Sequence, residues 1–338
     1  MTAIRSRRLS SRLPTRRSQQ IRTVIALSTR ERENVVVPRG RFAPSPTGSL
    51  HIGNLRTALV AWVSARSAGG DFVVRIEDLD RANSSFENEK SQTSDLRAIG
   101  LEFPVDVVRQ SERFEIYDAA IDRLSARGLT YPCFCTRREI REAASAPHGD
   151  LPEGAYPGTC RDLSSAELRR RLDSGRPPAV RLRTDGERYR FTDRIAGDVE
   201  GGIDDVVLRR NDGVPAYNLA VVIDDAWQRV DQVVRGDDLL LSTPRQIHLQ
   251  KLLGLPEPSY AHVPLVVGGD GERLAKRHGA VTLADLAHVG EKAADVRAEL
   301  LASLGLPTDV DDAVSGFAWA KVPRSSWTIP LRWQTRTS

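Results

Sequence analysis

The segment from Pro44 to Asn54 has the residue types of a nucleotide-binding turn. It reads Pro-Ser-Pro-Thr-Gly-Ser-Leu-His-Ile-Gly-Asn, a tight loop followed by the first residues of a helix. The unpaired N–H groups of a helix N-terminus attract phosphate. Gly48 and Gly53 allow a ligand to approach the backbone, and His51 can hydrogen-bond a phosphate oxygen as negative charge develops in a transition state. By itself, this pattern favours an ordinary helix that His51 caps.

A second segment with phosphate chemistry follows much later in the chain. Residues 272–280 read Glu-Arg-Leu-Ala-Lys-Arg-His-Gly-Ala and follow a Gly-Gly-Asp-Gly turn. Lysine and arginine in such a loop can clamp transferring phosphates. Because most isolated charged runs are solvated loops, this interpretation depends on the motifs that accompany it.

The three cysteines, Cys133, Cys135 and Cys160, have the chemistry of a metal site. Three cannot all pair, and two lie only two residues apart, which suits a metal better than a disulfide framework and indicates a reducing cytoplasm. A tetrahedral zinc ion would need a fourth ligand, for which His148 and Tyr156 are candidates, with His148 preferred on chemistry alone. The alternative is three unrelated buried thiols, because cysteine packs as a small apolar residue.

The chain around these motifs alternates between strand and helix patterns. A short strand ends near Ala43, and apolar residues between Leu55 and Val63 recur at helical spacing after the turn. This alternation predicts an α/β protein. The patterns predict further strands at 71–77, 206–209 and 221–223, with an Asn-Asp-Gly turn at 211–213, and further helices at 112–127, 165–172 and 292–304.

Length and composition limit the class of protein. The 338 residues suit a soluble enzyme of about two domains, and no stretch approaches the roughly 18 consecutive apolar residues of a membrane span. The formal charge is +4, but residues 1–40 hold ten arginines and two glutamates, so that the remainder is slightly acidic. Basicity therefore does not argue for RNA binding by the folded body. We expect residues 1–37 to be a basic tail or a gene-model extension, with a transit peptide as the minority alternative.

Together, the two phosphate-binding loops resemble the HIGH and KMSKS signatures of class I aminoacyl-tRNA synthetases. Arg-Phe-Ala-Pro-Ser-Pro-Thr-Gly at 41–48 is similar to the glutamyl branch in particular. The resemblance covers about residues 38–290 and implies a Rossmann-type core that adenylates glutamate, with ATP and Mg²⁺ as substrate. Three further segments strengthen it: Arg-Ile-Glu-Asp-Leu-Asp at 75–80, Ala-Tyr-Asn-Leu-Ala-Val-Val-Ile-Asp-Asp at 216–225, and Val-Val-Arg-Gly-Asp-Asp-Leu-Leu at 233–240.

The chain departs from both signatures at several positions. Asn54 stands in place of the second histidine but can still hydrogen-bond a nucleotide, and Arg273 keeps a positive charge, so we expect activity to survive. Ala275 lacks a hydroxyl, which puts loop closure in doubt. The resemblance implies catalytic roles for His51 and Lys276. The HIGH-like motif is then Pro44, Gly48, His51, Ile52, Gly53 and Asn54, the KMSKS-like motif is Arg273, Leu274, Ala275, Lys276 and Arg277, and the ATP contacts are His51, Gly53, Asn54 and Lys276.

The resemblance also implies a pocket for glutamate, which has two carboxylates and one ammonium group. Arg41 and Arg235 can each form a bidentate contact with a carboxylate, and Glu77 can bind the ammonium group. Ser45 and Tyr217 can add directional hydrogen bonds.

Charged neighbours of the pocket have other expected roles. An arginine beside acidic residues commonly forms a structural salt bridge, which we expect for Arg75, whereas the resemblance outweighs this alternative for Arg235. Magnesium usually binds to the ATP phosphates with few protein contacts. We therefore expect no dedicated magnesium site at the four aspartates with suitable chemistry, Asp78, Asp80, Asp224 and Asp225.

For the cysteines, the resemblance favours Tyr156 over His148 as the fourth ligand, because synthetases of this branch can have a Cys-x-Cys, Tyr-x-x-x-Cys zinc site. One structural Zn²⁺ would then hold an inserted acceptor-binding subdomain at 131–200. The expected catalytic segments are 38–130 and 201–285, and a short helical segment, 286–338, follows them.

The short C-terminal part resembles stand-alone relatives of the glutamyl enzymes that lack an anticodon-binding region. The likeness implies activation of L-glutamate without tRNA, and transfer of glutamate to queuosine at the wobble position of tRNA(Asp). One alternative is a glutamyl-tRNA synthetase that acts on the 3′ end of tRNA(Glu). Another is a non-catalytic RNA-binding paralogue, which the altered basic loop would suit. We expect a cytoplasmic monomer with no membrane partner.

Overall fold

A computed structural model describes residues 37–143, 155–272, 274 and 281–334. Its first part alternates between strands and helices, as the sequence predicts. The strands are β1 (Arg39–Phe42), β2 (Asp71–Ile76), β3 (Val108–Arg109) and β4 (Thr130–Cys133), and the helices are α1 (Ile52–Ser67), α2 (Phe86–Ala98), α3 (Phe114–Ala126) and α4 (Arg137–Ala143).

The chain continues with shorter elements. The strands are β5 (Ala179–Leu182), β6 (Arg188–Asp193), β7 (Gly197–Gly202), β8 (Val207–Arg209), β9 (Gln232–Gly236), β10 (Ser259–Val263), β11 (Val266–Val267) and β12 (Trp327–Thr328). The helices are α5 (Ser165–Asp173), α6 (Tyr217–Trp227), α7 (Thr243–Leu253), α8 (Leu283–His288), α9 (Ala293–Ser303) and α10 (Val310–Ser315).

Within the described residues, seven strands form one sheet in the order β3-β2-β1-β9-β10-β6-β7. All neighbours are parallel except the final β6–β7 hairpin. The chain runs from β1 to β2 and β3 on one side, and returns to β9 and β10 on the other. β1 is therefore the point at which the strand order reverses, where doubly wound α/β sheets bind ligands. The α/β class and the parallel core are confirmed.

A second sheet of three antiparallel strands, β4-β5-β8, carries the cysteine segment at the end of β4. The pairing crosses the expected domain boundaries. β6 lies in the segment 131–200 and β7 extends past its end, but both belong to the large sheet, and β8 belongs to the small sheet although it follows that segment. The reason is that β6 pairs with β10 through Asp193 and Tyr260. The division of the chain into domains stays a prediction.

The sequence-based prediction of a strand at 221–223 is wrong. These residues lie in α6, which is buried along most of its length. A short apolar run has the same composition in a buried strand and in a buried helix, so periodicity does not separate them. The expected helix at 112–127 begins at Phe114, after a 3-10 turn at Gln110–Glu112, and the helices expected at 165–172 and 292–304 are α5 and α9.

The helix α1 lies at the centre of the main core. It packs on β1 and β9, and it also contacts α9 and α10 from the last part of the chain. Ile52, Leu55 and Leu59 are almost completely buried, and its polar N-terminus faces the sheet edge at which β1 ends. None of the helices in the described ranges is both long and apolar enough to cross a membrane.

We predict that Leu59→Ala lowers the free energy of unfolding by roughly 2–5 kcal/mol, because it leaves a cavity in the core. Leu59 is 1% exposed, whereas Leu172 on α5 is 49% exposed. The same substitution at Leu172 should cost less than about 0.5 kcal/mol. Urea denaturation followed by circular dichroism measures both, and equal losses would contradict the position of α1 in the core.

Candidate active site

A cleft of about 390 Å³ opens at the carboxyl ends of β1 and β9. It forms where β1 and β9 separate, because the crossover connections leave this point in opposite directions. The cleft brings together most of the residues that the sequence predicts for ATP and glutamate binding. Those that line it are Arg41, Pro44, Ser45, Gly48, His51, Gly53, Asn54, Glu77, Tyr217, Arg235 and Leu274.

His51 is the N-cap residue of α1 and lies just before its first turn. Its Nδ1 accepts a hydrogen bond from the Asn54 backbone N–H at 3.3 Å, and the Asn54 Oδ1 accepts one from the His51 backbone N–H at 3.1 Å. This reciprocal pair is a capping box. Since Nδ1 is an acceptor, the neutral ring has its proton on Nε2. Asn54 therefore helps to fix the ring of His51.

Gly53 is required by the close approach of the His51 ring. A Cβ atom at this position would lie 3.0 Å from both Cε1 and Nδ1 of His51. The glycine therefore leaves room for the capping geometry, in addition to the ligand access that the sequence suggests.

The ends of the basic loop lie beside the start of α1. The Leu274 N–H donates to the Val266 carbonyl at 3.3 Å, and the Ile52 N–H donates to the Val281 carbonyl at 2.9 Å. The backbone of His51 also forms an isolated antiparallel β-bridge with Thr282. Of the KMSKS-like positions, only Leu274 belongs to the described residues; Arg273, Ala275, Lys276 and Arg277 lie outside them.

The loop after β1 is held by Gln92 of α2, a residue that sequence reasoning missed. Its Nε2 donates to the carbonyl oxygens of Ser45, at 3.0 Å, and Gly48, at 2.7 Å. Gln92 is buried, and α2 is mostly polar and shows no motif that would single this residue out.

Arg75 forms the structural salt bridges that the sequence predicts. It is fully buried, and its terminal nitrogens contact the Asp225 Oδ1 at 2.7 Å and the Glu77 Oε1 at 3.0 Å. Arg41 approaches the same Asp225 oxygen at 3.4 Å and donates to the Val234 carbonyl at 3.1 Å. Asp225 therefore holds both guanidinium groups on one side of the cleft.

This network sets the protonation of its acids. Burial raises the pKa of Glu77, and the neighbouring Arg75 and Arg41 oppose that rise only in part. For Asp225, burial also acts to raise the pKa, but Arg75 and Arg41 outweigh it and hold the pKa below its usual value. Asp224 accepts hydrogen bonds from Gln110, Arg113 and Tyr117, so protein groups engage both aspartates.

Arg235, on the other side of the cleft, has a different environment. Its Nε donates to the His262 Nε2 at 3.0 Å, and its terminal nitrogens donate to the Gln246 Oε1 at 2.7 Å and the Thr243 Oγ1 at 2.9 Å. These acceptors are neutral, and Arg235 is buried without a direct carboxylate partner among the described residues. His262 in turn bonds Asp193. Sequence reasoning missed His262, and the signal that could have found it is a histidine within the mostly apolar segment 259–263.

Tyr217 begins α6 and lines the cleft between Glu77 and Arg235. Burial raises the pKa of its phenol, and the negative charge of Glu77 raises it further. The hydroxyl therefore stays protonated near neutral pH and can donate a hydrogen bond, which is the role that the sequence predicts.

The three cysteines come together. The Sγ atoms of Cys133, Cys135 and Cys160 all lie within 4.8 Å of one another. The Tyr156 hydroxyl lies 3.4 Å from the Cys133 Sγ and 3.7 Å from the Cys135 Sγ, and the Sγ atoms of Cys135 and Cys160 are 3.5 Å apart. A tetrahedral zinc site with these ligands needs donor separations of about 3.5–3.8 Å. The four side chains are therefore compatible with zinc.

Cationic side chains surround this cluster. The Arg181 guanidinium lies 3.6 Å from the centre of the Tyr156 ring, and the Arg171 Nη1 is 3.9 Å from the Cys160 Sγ. Positive charge here would stabilise thiolates and a phenolate. His148, the alternative ligand, lies outside the described residues.

A second cleft, of about 650 Å³, lies between the cysteine cluster and the first cleft. Tyr156 lines it at one end, and Tyr217 lines both clefts. Three arginines also line it, Arg137, Arg181 and Arg245.

The parallel sheet and the ligand cleft at its switch point, with a capped helix N-terminus beside the cleft, define a Rossmann-type nucleotide-binding protein. The family model "tRNA synthetases class I (E and Q), catalytic domain" matches residues 37–307. The chain belongs to this family, and is therefore an aminoacyl-tRNA synthetase-type ligase.

Individual relatives support the same assignment. The chain is 57% identical over 291 residues to a glutamyl-Q tRNA(Asp) synthetase of Nocardia farcinica, covering 86% of this chain and 92% of the relative. It is 47% identical to the glutamyl-Q tRNA(Asp) synthetase of Symbiobacterium thermophilum, covering 86% and 95%. The crystal structure of a glutamate tRNA ligase from Elizabethkingia meningosepticum, in complex with its amino acid, superposes with a TM-score of 0.71 at 27% identity, covering 88% of this chain and 68% of the ligase.

Proposed function

We propose that this protein activates L-glutamate with ATP, without needing tRNA, and transfers it to queuosine at the wobble position of tRNA(Asp). The observation that carries the proposal is the single cleft in which a capped helix N-terminus faces two separately held arginines and a buried glutamate. The high identity to glutamyl-Q tRNA(Asp) synthetases over almost their whole length supports the choice of acceptor.

In the activation step, an oxygen of the glutamate α-carboxylate attacks the α-phosphorus of ATP. The bond from this phosphorus to the bridging oxygen breaks, and pyrophosphate leaves with Mg²⁺. No protein nucleophile is needed, so catalysis consists of positioning and charge stabilisation. The Nε2–H of His51 and the N-terminus of α1 would donate to the phosphate oxygens. Lys276, which belongs to the basic loop, would neutralise the negative charge of the phosphates.

Glutamate would lie in the cleft between Arg41 at β1 and Arg235 at β9. Arg41 and Arg235 would each bind a carboxylate, and Glu77, held by Arg75, would bind the ammonium group. The protonated hydroxyl of Tyr217 and the side chain of Ser45 would complete the hydrogen bonds. A ligand that lacks the carboxylate bound by Arg235 would leave this buried arginine without an anion, which is costly.

The second cleft would receive the acceptor nucleotide. Arginines suit contacts with phosphate and with the faces of bases, and Tyr217 at the junction would connect the nucleotide with the activated glutamate. The Arg245 Nε donates to the Asp204 Oδ1 at 2.6 Å, which fixes that side chain at the wall of the cleft. The cysteine cluster, holding one structural Zn²⁺ through Cys133, Cys135, Tyr156 and Cys160, would stabilise the other wall.

The purified protein should exchange pyrophosphate into ATP when glutamate is added and tRNA is absent. His51→Ala should lower this exchange by about 100-fold or more, because a donor to the transition state is lost. The matched control is His288→Ala on α8, because His288 is exposed and its Nδ1 bonds the Ala284 carbonyl of the same helix, away from the cleft; exchange should be unchanged. Exchange that appears only with tRNA(Glu) would contradict the proposal, as would full activity of His51→Ala, which would favour a non-catalytic role.

Labelled glutamate incubated with the protein, ATP and total tRNA should appear on the anticodon of tRNA(Asp). Nuclease fragments separate the anticodon loop from the 3′ end, and tRNA from cells that lack queuosine is the control. Label at the 3′ end of tRNA(Glu) would instead identify the chain as a glutamyl-tRNA synthetase, which the likeness to a glutamate tRNA ligase structure also allows.

The purified protein should contain about one zinc ion per chain. Tyr156→Phe should weaken zinc binding by at least about tenfold, measured by competition with a chromogenic chelator. The reason is that losing even a group that only hydrogen-bonds a metal ligand lowers metal affinity by roughly 10–100-fold. His148→Ala should leave the affinity unchanged. The reverse result would make His148 the fourth ligand, and zinc content that survives Cys160→Ser would exclude the cluster as the site.

A further inference from the structure

The pair Asp193–His262 lies behind Arg235 on three neighbouring parallel strands, β6, β10 and β9. His262 is the register partner of Arg235, and Asp193 lies at the end of β6. Both side chains of the pair are completely buried, so they do not contact a ligand in the cleft. From this arrangement we infer that Asp193 and His262 are positioning residues, which hold the guanidinium of Arg235 in the orientation that binds a substrate carboxylate. The inference rests on the proposed function.

The hydrogen bonds define the tautomer of His262. Its Nδ1 lies 2.6 Å from the Asp193 Oδ2, and a carboxylate can only accept, so Nδ1 has the proton. Its Nε2 then accepts from the Arg235 Nε at 3.0 Å. Asp193 is itself fixed, because its Oδ1 accepts from the backbone N–H groups of Ile195 and Ala196, both at 2.9 Å. Arg235 therefore donates to His262, and His262 donates to Asp193.

The neutral imidazole leaves the charge of Arg235 available. A carboxylate in direct contact with the guanidinium would neutralise it and compete with the substrate. With His262 in between, Asp193 orients the arginine from a distance. Arginine has five N–H donors, of which His262, Gln246 and Thr243 accept three. One N–H on each terminal nitrogen remains, which is the number that a bidentate carboxylate contact uses.

The other side of the cleft provides the contrast. Arg41 shares the carboxylate of Asp225 with Arg75, so its charge is already partly compensated. The ring of Tyr260 lies 5.8 Å from the Arg235 guanidinium and stacks on the His262 ring at an interplanar angle of 17°. This packing limits the movement of both groups, and His262 fixes Arg235 together with Gln246 and Thr243.

Two substitutions of His262 separate positioning from simple loss of a buried ring. In His262→Gln, the side-chain oxygen reaches the place of Nε2 and can accept from Arg235. In His262→Asn, the shorter amide can reach Asp193 only and leaves the Arg235 Nε without its acceptor. The control is His248→Asn, which removes another buried histidine that bonds Tyr189 and does not contact Arg235.

Glutamate-dependent pyrophosphate exchange should show a KM for glutamate that rises about tenfold to 100-fold in His262→Asn, the range for losing a hydrogen bond to a charged group. The KM for ATP should stay within about twofold, because Arg235 holds no phosphate. His262→Gln should restore the glutamate KM to within a few-fold of the unsubstituted protein, and His248→Asn should not change it.

Thermal unfolding of all variants provides the second readout. A purely structural role predicts that both His262 variants lose stability with no selective change in the glutamate KM, and this result would overturn the inference. Equal glutamate KM values in His262→Asn and the unsubstituted protein would also overturn it, with the proposed function intact. An unsubstituted protein without any glutamate-dependent exchange would overturn the proposed function, and the positioning role with it.

Discussion

The place of β1 between β2 and β9 is the constraint on which the rest of the structure depends. Gly40 lies opposite Phe72 on one side and opposite Gln232 on the other. A Cβ atom on Gly40 would lie 2.9 Å from the Ala65 Cβ, so this glycine lets α1 pack closely on the central strand. The close packing sets the N-terminus of α1, and therefore His51, at the edge where the strands separate. Both phosphate and carboxylate chemistry meet at that edge.

Buried charge in the site is balanced in two ways. On the β2 side, Arg75, Arg41, Glu77 and Asp225 form direct ion pairs, which make the geometry rigid because breaking one pair leaves a buried charge uncompensated. On the β10 side, Arg235 is oriented by neutral acceptors, and its nearest acid acts through an imidazole. The first arrangement supports the wall of the cleft, and the second keeps a cation available to the ligand.

The sheet also joins the cysteine segment to the cleft. The chain leaves the small sheet after β5, enters the large sheet as the β6–β7 hairpin, and returns to the small sheet as β8 before α6 begins at Tyr217. Because β6 ends at Asp193, a segment predicted as part of the insertion supplies a residue behind Arg235. The two parts of the molecule are therefore connected through strand pairing as well as through the chain.

The sequence by itself determined the features that depend on residue type and short spacing. These are the loop at 44–54 and the start of the helix after it, the Cys-x-Cys pair with Cys160, the α/β alternation, and eleven of the residues that line the cleft. It did not determine the secondary structure of residues 221–223, because a buried apolar run has no period that separates helix from strand. Only the tertiary structure decided that Gln92 holds the turn, that Asn54 fixes His51, and that Asp193 and His262 lie behind Arg235. The physical reason is that these contacts depend on sheet order and cap geometry, which join residues that no local pattern relates.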